Sequence, residues 1–271
     1  MHRISVVIIT KNEALKIADC INSAWQLSDD IIVVDSGSTD NTIAVAKQCG
    51  ANVICTEWEC FGASRNKGAD AAAHNWILSL DADERVTPAL ASQILNMQTP
   101  LPENVCGFYR ENYFANKKIR FGLWGHDKVF RLYHRRYNAW NTVLIHEQLT
   151  ADKKQKKMLQ AHLLHYTVKD KKEYMAKLKH YALLSSYANK QSGKKAGIVK
   201  RFLSPVINFL RSFILLFGFL DGKEGYIIAA YSTYYTWLKY HYLHRLYRMD
   251  KYTASNTEKP DLIHRKIAAL K

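Results

Sequence analysis

Proline and glycine are sparse in this 271-residue sequence, at 5 and 12 residues, while hydrophobic residues make up 48%. That balance excludes a disordered or low-complexity chain and leaves enough apolar surface for one substantial core. The five cysteines (Cys20, Cys49, Cys55, Cys60 and Cys106) are odd in number and form no CxxC pair, and the sequence enters ISVVIIT with no leader pattern. Reduced thiols in a cytosolic compartment are the expectation. No stretch reaches the roughly 18 uncharged apolar residues of a membrane span. Residues 202–220 come nearest, but Arg211 sits at their centre and Asp221, Lys223 and Glu224 follow; residues 225–238 end at Lys239. Both segments read as helices that lie on a membrane or pack on each other. Also missing are a GxGxxG after the first apolar run and any GxxxxGK[ST], which argues against a dinucleotide site or a P-loop.

Charge is the first positive signal. Residues 1–150 hold 15 Lys and Arg against 16 Asp and Glu, a net of −1, whereas residues 151–271 hold 24 against 8, a net of +16. A half this basic suits nucleic acid, an anionic membrane surface or a phosphorylated substrate. Nucleic acid is the poorest of these, since the half has no zinc-finger or RRM signature and is too apolar for a simple basic arm.

The first 80 residues alternate short apolar runs with helical spacing. ISVVII (4–9), DIIVV (30–34), 52–55 and 75–80 read as strands, with helices over 13–25, from about 39–40 and over 64–73. Such alternation predicts an α/β fold with a parallel sheet and right-handed crossovers, and ligands bind beyond the carboxyl ends of such strands. Thr10 to Asn12, Asp35 to Asp40 and Asp81 to Glu84 should therefore converge on one edge. After Pro88, strands are expected around 107–112, 128–133, 141–149 and 159–165, and from Asp170 the chain reads as helical. The expected division is an α/β domain over 1–168, which carries the candidate site, and a basic, apolar helical extension over 169–271.

SLDADERV (79–86) poses the sharpest question, because three carboxylates, Asp81, Asp83 and Glu84, follow a buried-looking strand. Like charges there need water, a partner or a cation. Two aspartates at i, i+2 on a strand end can share a hard divalent cation with substrate phosphates.

Taken together, VVIITKNEA, DSGSTDNT (35–42), GASRNKGA (62–69) and WILSLDADE (76–84) resemble the family 2 glycosyltransferases, over about residues 3–86 and in the same order. The resemblance implies the GT-A (Rossmann-like) fold, an inverting transfer from a nucleotide-diphospho sugar, and a divalent metal, Mg2+ or Mn2+. It implies that Thr10, Asn12 and Glu13 line the nucleotide pocket, that Asp35 recognises the base, and that Arg65 lies near the base or pyrophosphate. Asp81 would sit against ribose or metal, and Asp83 would bind the metal. The acceptor hydroxyl needs a base; Glu147, in VLIHEQL, resembles a block of one branch of the family and is preferred, with Asp127 of WGHDKVFRLY second. A late histidine is a common additional ligand in GT-A enzymes, which points to His165, ahead of His126 and His146.

The C-terminal region, with FLDGKEG between two apolar helices, resembles the lipopolysaccharide inner-core β-1,4-glucosyltransferase branch of the family. That resemblance implies glucose from UDP-glucose as donor and a core heptose as acceptor; transfer to polyprenyl phosphate or another surface polysaccharide is the alternative. Its +16 charge and dense Tyr and Trp between residues 226 and 247 suit an anionic leaflet, so peripheral association with the inner face of the inner membrane is expected.

Overall fold

The computed structural model describes residues 3–97, 101–195 and 197–255. β1 (Ile4–Thr10) is buried at every position. Successive side chains leave a strand on opposite faces, so Ile4, Val6 and Ile8 pack with Ile17, Cys20, Ile21 and Ala24 of α1 (Ile17–Ala24). Val7 and Ile9 pack with Ile32 and Val34 of β2 (Asp30–Asp35) and with Ala69. This two-sided cover explains why the strand reads as an unbroken apolar run. α2 (Thr42–Gln48), β3 (Asn52–Cys55), α3 (Phe61–Ala71) and β4 (Trp76–Asp81) complete the parallel part, with β1 between β2 and β4. α3 lies tight against the sheet because Gly68 has no side chain: a Cβ there would stand 2.3 Å from Val7 Cγ1.

The second half of the sheet is mixed. β5 (Glu84–Val86), α4 (Pro88–Leu95), β6 (Val105–Phe114), β7 (Lys117–Lys118), β8 (Asp127–His134) and β9 (Lys156–Val168) extend it to nine strands in the order β3-β2-β1-β4-β8-β6-β9-β5, with β7 on β6. There β6 and β9 are parallel, whereas β8 is antiparallel to β4 and β6, and β5 is antiparallel to β9. The strand expected over 141–149 is instead a loop joined by one bridge, Trp140 to Leu149. Its backbone turns away from strand geometry at His146, φ +59°.

α5 (Lys171–Gln191) starts at Asp170, whose carboxylate caps the Glu173 N–H at 2.8 Å. It packs along α7 (Gly222–Ser255) through stacked Tyr174 and Tyr231, a 2.6 Å Ser185–Tyr235 hydrogen bond and a 2.7 Å Lys190–Asp250 ion pair. Between them α6 (Ile198–Phe209) runs into a π-helical stretch, Leu210–Leu215, and the chain reverses at Phe217, φ +55°.

The FLDGKEG block is the joint that fastens this extension to the sheet. Buried Asp221 accepts the Arg120 and Phe121 backbone N–H groups at 3.1 and 2.8 Å. Lys117 donates to its carbonyl at 2.7 Å. Gly225 passes so close to Gly218 that a Cβ would fall 1.8 Å from its carbonyl oxygen. Phe114, Val168, Tyr174, Ile227 and Ile228 fill the space behind it.

Candidate active site

The loops after β1, β2 and β4 meet at one sheet edge, as strand order requires. The first two are laced together. Asn12, held at φ +55°, accepts the Thr39 N–H on Oδ1 at 2.7 Å and donates its own N–H to Ser38 Oγ at 2.8 Å. Asparagine tolerates this left-handed backbone better than most residues. The Glu13 and Ala14 N–H groups donate to Thr42 Oγ1 and Asp40 at 2.9 and 3.2 Å. Asp35 is occupied by its own loop, accepting from the Gly37 and Ser38 N–H groups at 2.9 and 2.8 Å and from the Ser38 hydroxyl. Thr10 Oγ1, at the end of β1, is buried with no hydrogen-bond partner.

Asp81 is the centre of an arginine cluster. Arg65, from α3 and 1% exposed, donates to Ser79 Oγ at 2.6 Å and to Asp81 Oδ1 at 2.5 Å. Arg131, from β8, donates to Asp81 Oδ2 at 2.6 Å. Trp140 lies against both guanidiniums, 4.8 and 5.6 Å from its ring centroid. Burial alone would raise the Asp81 carboxyl, but Arg131 and Arg65 outweigh it and hold it well below the usual aspartate range.

Glu84, the least readable of the three acids in sequence, is fully buried and holds the strand end. It accepts the Asp81 N–H at 2.8 Å and a 3.1 Å bond from Arg110 of β6. Arg110 also grips Asp127 Oδ2 through Nε and Nη2, at 2.8 and 2.6 Å, with Asn112 adding a third bond at 3.2 Å. Asp127 is thereby committed to structure. Glu147 is not: its nearest cation is Arg65, with Nε 3.6 Å from Oε1, and Arg65 Nε makes no hydrogen bond. The loop that carries Glu147 is clamped to α3 by Asn66, which bonds the Trp140 N–H and carbonyl at 3.0 and 2.8 Å.

Asp83 and His165, 82 positions apart, are brought side by side, with Oδ1 3.4 Å from Nε2. β5 and β9 pair in register at Glu84 and His165, which sets this neighbourhood. His165 Nδ1 is 2.5 Å from Asn112 Oδ1, whose amide nitrogen is turned to the Trp124 carbonyl at 2.8 Å. That assignment puts the proton on Nδ1 and turns the Nε2 lone pair toward a carboxylate, an arrangement that calls for a cation or a second proton between them. Burial raises the Asp83 carboxyl, but His165 and then Lys177 outweigh it and hold it far below the usual range. His126 and His146 are exposed.

The pair fits a hard divalent cation with two protein ligands and the remaining positions left to phosphate and water. Among the described residues no group of three or more His, Cys, Asp or Glu forms a cage. Sequence reading does not single out Arg110, Trp140, Lys177 or Tyr181. The last two stand at i, i+4 on α5. Lys177 reaches Asp83 Oδ2 at 3.3 Å, and Tyr181 stacks on Phe61 of α3 at 6.1 Å. Glu13 faces the same lysine at 3.8 Å; burial raises its carboxyl, with Lys177 opposing and Asp83 adding to the rise.

Several known proteins share this sequence pattern. An uncharacterized glycosyltransferase of Rickettsia felis is 27% identical over 246 residues, covering 84% of each chain. The lipopolysaccharide core biosynthesis glycosyltransferase LpsC of Rhizobium meliloti is 24% identical over 252 residues, covering 87% of this chain and 89% of that one. Among solved structures, glucosyl-3-phosphoglycerate synthase of Mycobacterium tuberculosis, in complex with Mn2+, UDP and glucosyl-3-phosphoglycerate, overlaps partially: 24% identity, TM-score 0.34, 41% of this chain and 44% of that one. This chain thus spans less than half of that solved chain. The Glycosyl transferase family 2 profile matches residues 5–156, more than half of the sequence. Profile, relatives and α/β architecture agree: the chain is a family 2 glycosyltransferase.

Proposed function

We propose that the protein is an inverting, metal-dependent hexosyltransferase that moves glucose from UDP-glucose onto the heptose region of a lipopolysaccharide core. One observation carries the donor half of this reading: Asp83 and His165 face each other at 3.4 Å on the edge where Arg65, Arg131 and Lys177 concentrate positive charge. A divalent cation held by Asp83 and His165 would neutralise the diphosphate leaving group as its bond to the anomeric carbon breaks. Asn112 keeps the His165 ring in the required orientation. Thr10, Asn12, Glu13 and Asp35 line the nucleotide side, and Asp81 holds Arg65 and Arg131 in place beside it.

Glu147 is the base. Its carboxylate takes the proton of the acceptor hydroxyl as that oxygen attacks the anomeric carbon from the face opposite the diphosphate, which leaves with the bonding electrons. Asp127 is unsuited to this task because protonation would cost it the Arg110 pair.

The acceptor half rests on the relative named for lipopolysaccharide core biosynthesis and on the inside-out character of α6. Val199, Phe202, Leu203, Val206, Ile207 and Leu210 share an outward stripe, with Phe202 and Ile207 each 54% exposed, while Pro205 and Ser212 face inward. A water-facing helix normally reverses that pattern. Among the described residues no single helix is long and apolar enough to cross a membrane, whereas Ile198–Leu215 and Gly218–Asp250, bent by 69°, are so only as a pair. Basic side chains gather beside it. Burial lowers the Lys239 pKa and the neighbouring Lys200 and Lys194 lower it further, so this group favours an anion. These features support a peripheral seat on an anionic leaflet at the cytoplasmic face.

The test is acceptor-dependent release of UDP, with and without Mn2+ or Mg2+, using deacylated core oligosaccharide and, separately, polyprenyl phosphate. Release with the core acceptor and UDP-glucose supports the reading. Release with polyprenyl phosphate alone overturns the acceptor, and release undiminished by chelator overturns the metal.

A further inference from the structure

α5 lies beyond the residues matched by the family profile, yet its first two turns reach into the donor edge. Lys177 Nζ stands 3.3 Å from Asp83 Oδ2, 3.4 Å from Glu173 Oε1 and 3.8 Å from Glu13 Oε1, and donates to the Thr167 carbonyl at 2.8 Å. Lys16 closes the far side, 3.0 Å from Glu173 Oε1 and 3.4 Å from Glu13 Oε2. Three carboxylates therefore share two ammonium groups, and of the two only Lys177 pairs with Asp83.

We propose that Lys177 is an exchangeable cation of the donor site. In the free protein its ammonium group neutralises Asp83; when a divalent cation takes that carboxylate, the ammonium turns to the donor diphosphate. The inference rests on the reading of Asp83 as a ligand of the donor-bound cation. An ammonium and a divalent ion on one carboxylate repel each other, so the first must leave as the second arrives. Lysine suits the exchange because its charge is a compact group on a flexible four-carbon stem, able to relocate without movement of the helix. Glu13 and Glu173 keep it in ion-pair range during the move, and a diphosphate supplies charged acceptor oxygens at the same edge. Lys177 acts here by binding and positioning; it transfers no proton.

Exchange has a signature that loss of packing lacks, because it ties metal and nucleotide binding together with opposite signs. The experiment uses the full-length wild type, Lys177→Met and Lys177→Arg. Mn2+ binding without nucleotide is read by electron paramagnetic resonance, and UDP binding at saturating Mn2+ by calorimetry. Lys177→Met should bind Mn2+ several-fold more tightly, since its competitor is gone, and UDP roughly tenfold or more weakly, for loss of a charge-assisted bond. Lys177→Arg, whose planar fork holds a carboxylate by two bonds, should bind Mn2+ more weakly than the wild type, and this arm decides the matter if the Met variant does not fold. A Met variant that weakens or leaves unchanged both affinities, or an Arg variant with wild-type Mn2+ affinity, overturns the proposal. A wild type that binds Mn2+ but not UDP overturns the donor-site reading instead, and the Mn2+ comparison still decides the role of Lys177.

Discussion

Replacing Asp81 with asparagine tests whether the arginine cluster is held by charge. The substitution keeps shape but removes the anion from between Arg65, 1% exposed, and Arg131, 7% exposed. Two charge-assisted hydrogen bonds are lost, each contributing about 1.5–3 kcal/mol, and the amide oxygen recovers one neutral bond of about 1 kcal/mol. The net loss is about 2–5 kcal/mol, a large share of a total stability of about 5–15 kcal/mol. Urea unfolding should show it as a midpoint lowered by about 1 M, taking a slope near the upper end of about 1–3 kcal/mol per M.

The same variant fixes the sign of a pH effect. Because the folded-state pKa of Asp81 lies below its ordinary value of 3.8, its contribution is fully present above that value and fades as pH falls toward the folded value. Wild-type stability should therefore drop below about pH 4, and the gap between wild type and variant should narrow there. A gap under about 1 kcal/mol at neutral pH, or one that stays constant between about pH 5 and 3, would refute the account.

Glu147→Gln should retain donor binding, measured by UDP calorimetry, and lose about 10²–10⁴-fold in turnover; full activity would move the base elsewhere. Asp127→Asn should instead cost stability through Arg110, visible in thermal melts, with donor affinity kept. Phe202→Asp with Ile207→Asp, at two exposed positions, should leave the melting temperature unchanged and abolish flotation with anionic vesicles; retained flotation would show that α6 is not the seat. Gly68→Ala forces a Cβ to within 2.3 Å of Val7 Cγ1 and should destabilise by about 1–3 kcal/mol in denaturant unfolding.

The parallel half of the sheet was legible because strands covered on both faces need apolar interiors, as the VVII of β1 and the IIVV of β2 supply. The meeting of Asp83 with His165 was anticipated only through family likeness, since nothing in local spacing joins residues separated by 82 positions. Residues 141–149 misled for a physical reason. Their short apolar run, Val143 to Ile145, mimics a strand, but the Asn141 side chain takes the Gln148 N–H at 3.0 Å and His146 turns left-handed, so the segment closes on itself as a loop. Glu84 was opaque because a carboxylate's role depends on its partners, and Arg110 and Arg131 arrive from strands whose antiparallel order the early alternation did not suggest. Lys177 was hidden in a helix whose lysines look uniformly solvated until its course over the site is known.

The course of α5 also sets a length scale. Lys177 touches the donor edge, and α5 ends 14 residues later at Gln191, about 21 Å along the helix; the outward apolar stripe of α6 begins at Val199. Under the proposed function, this helix would join the donor site to the segment seated on lipid and would work as a ruler. Were α6 seated on a leaflet as proposed, that ruler would limit which sugars of a lipid-rooted chain could present a hydroxyl to Glu147. Selection by height would operate before any contact reads the acceptor's identity.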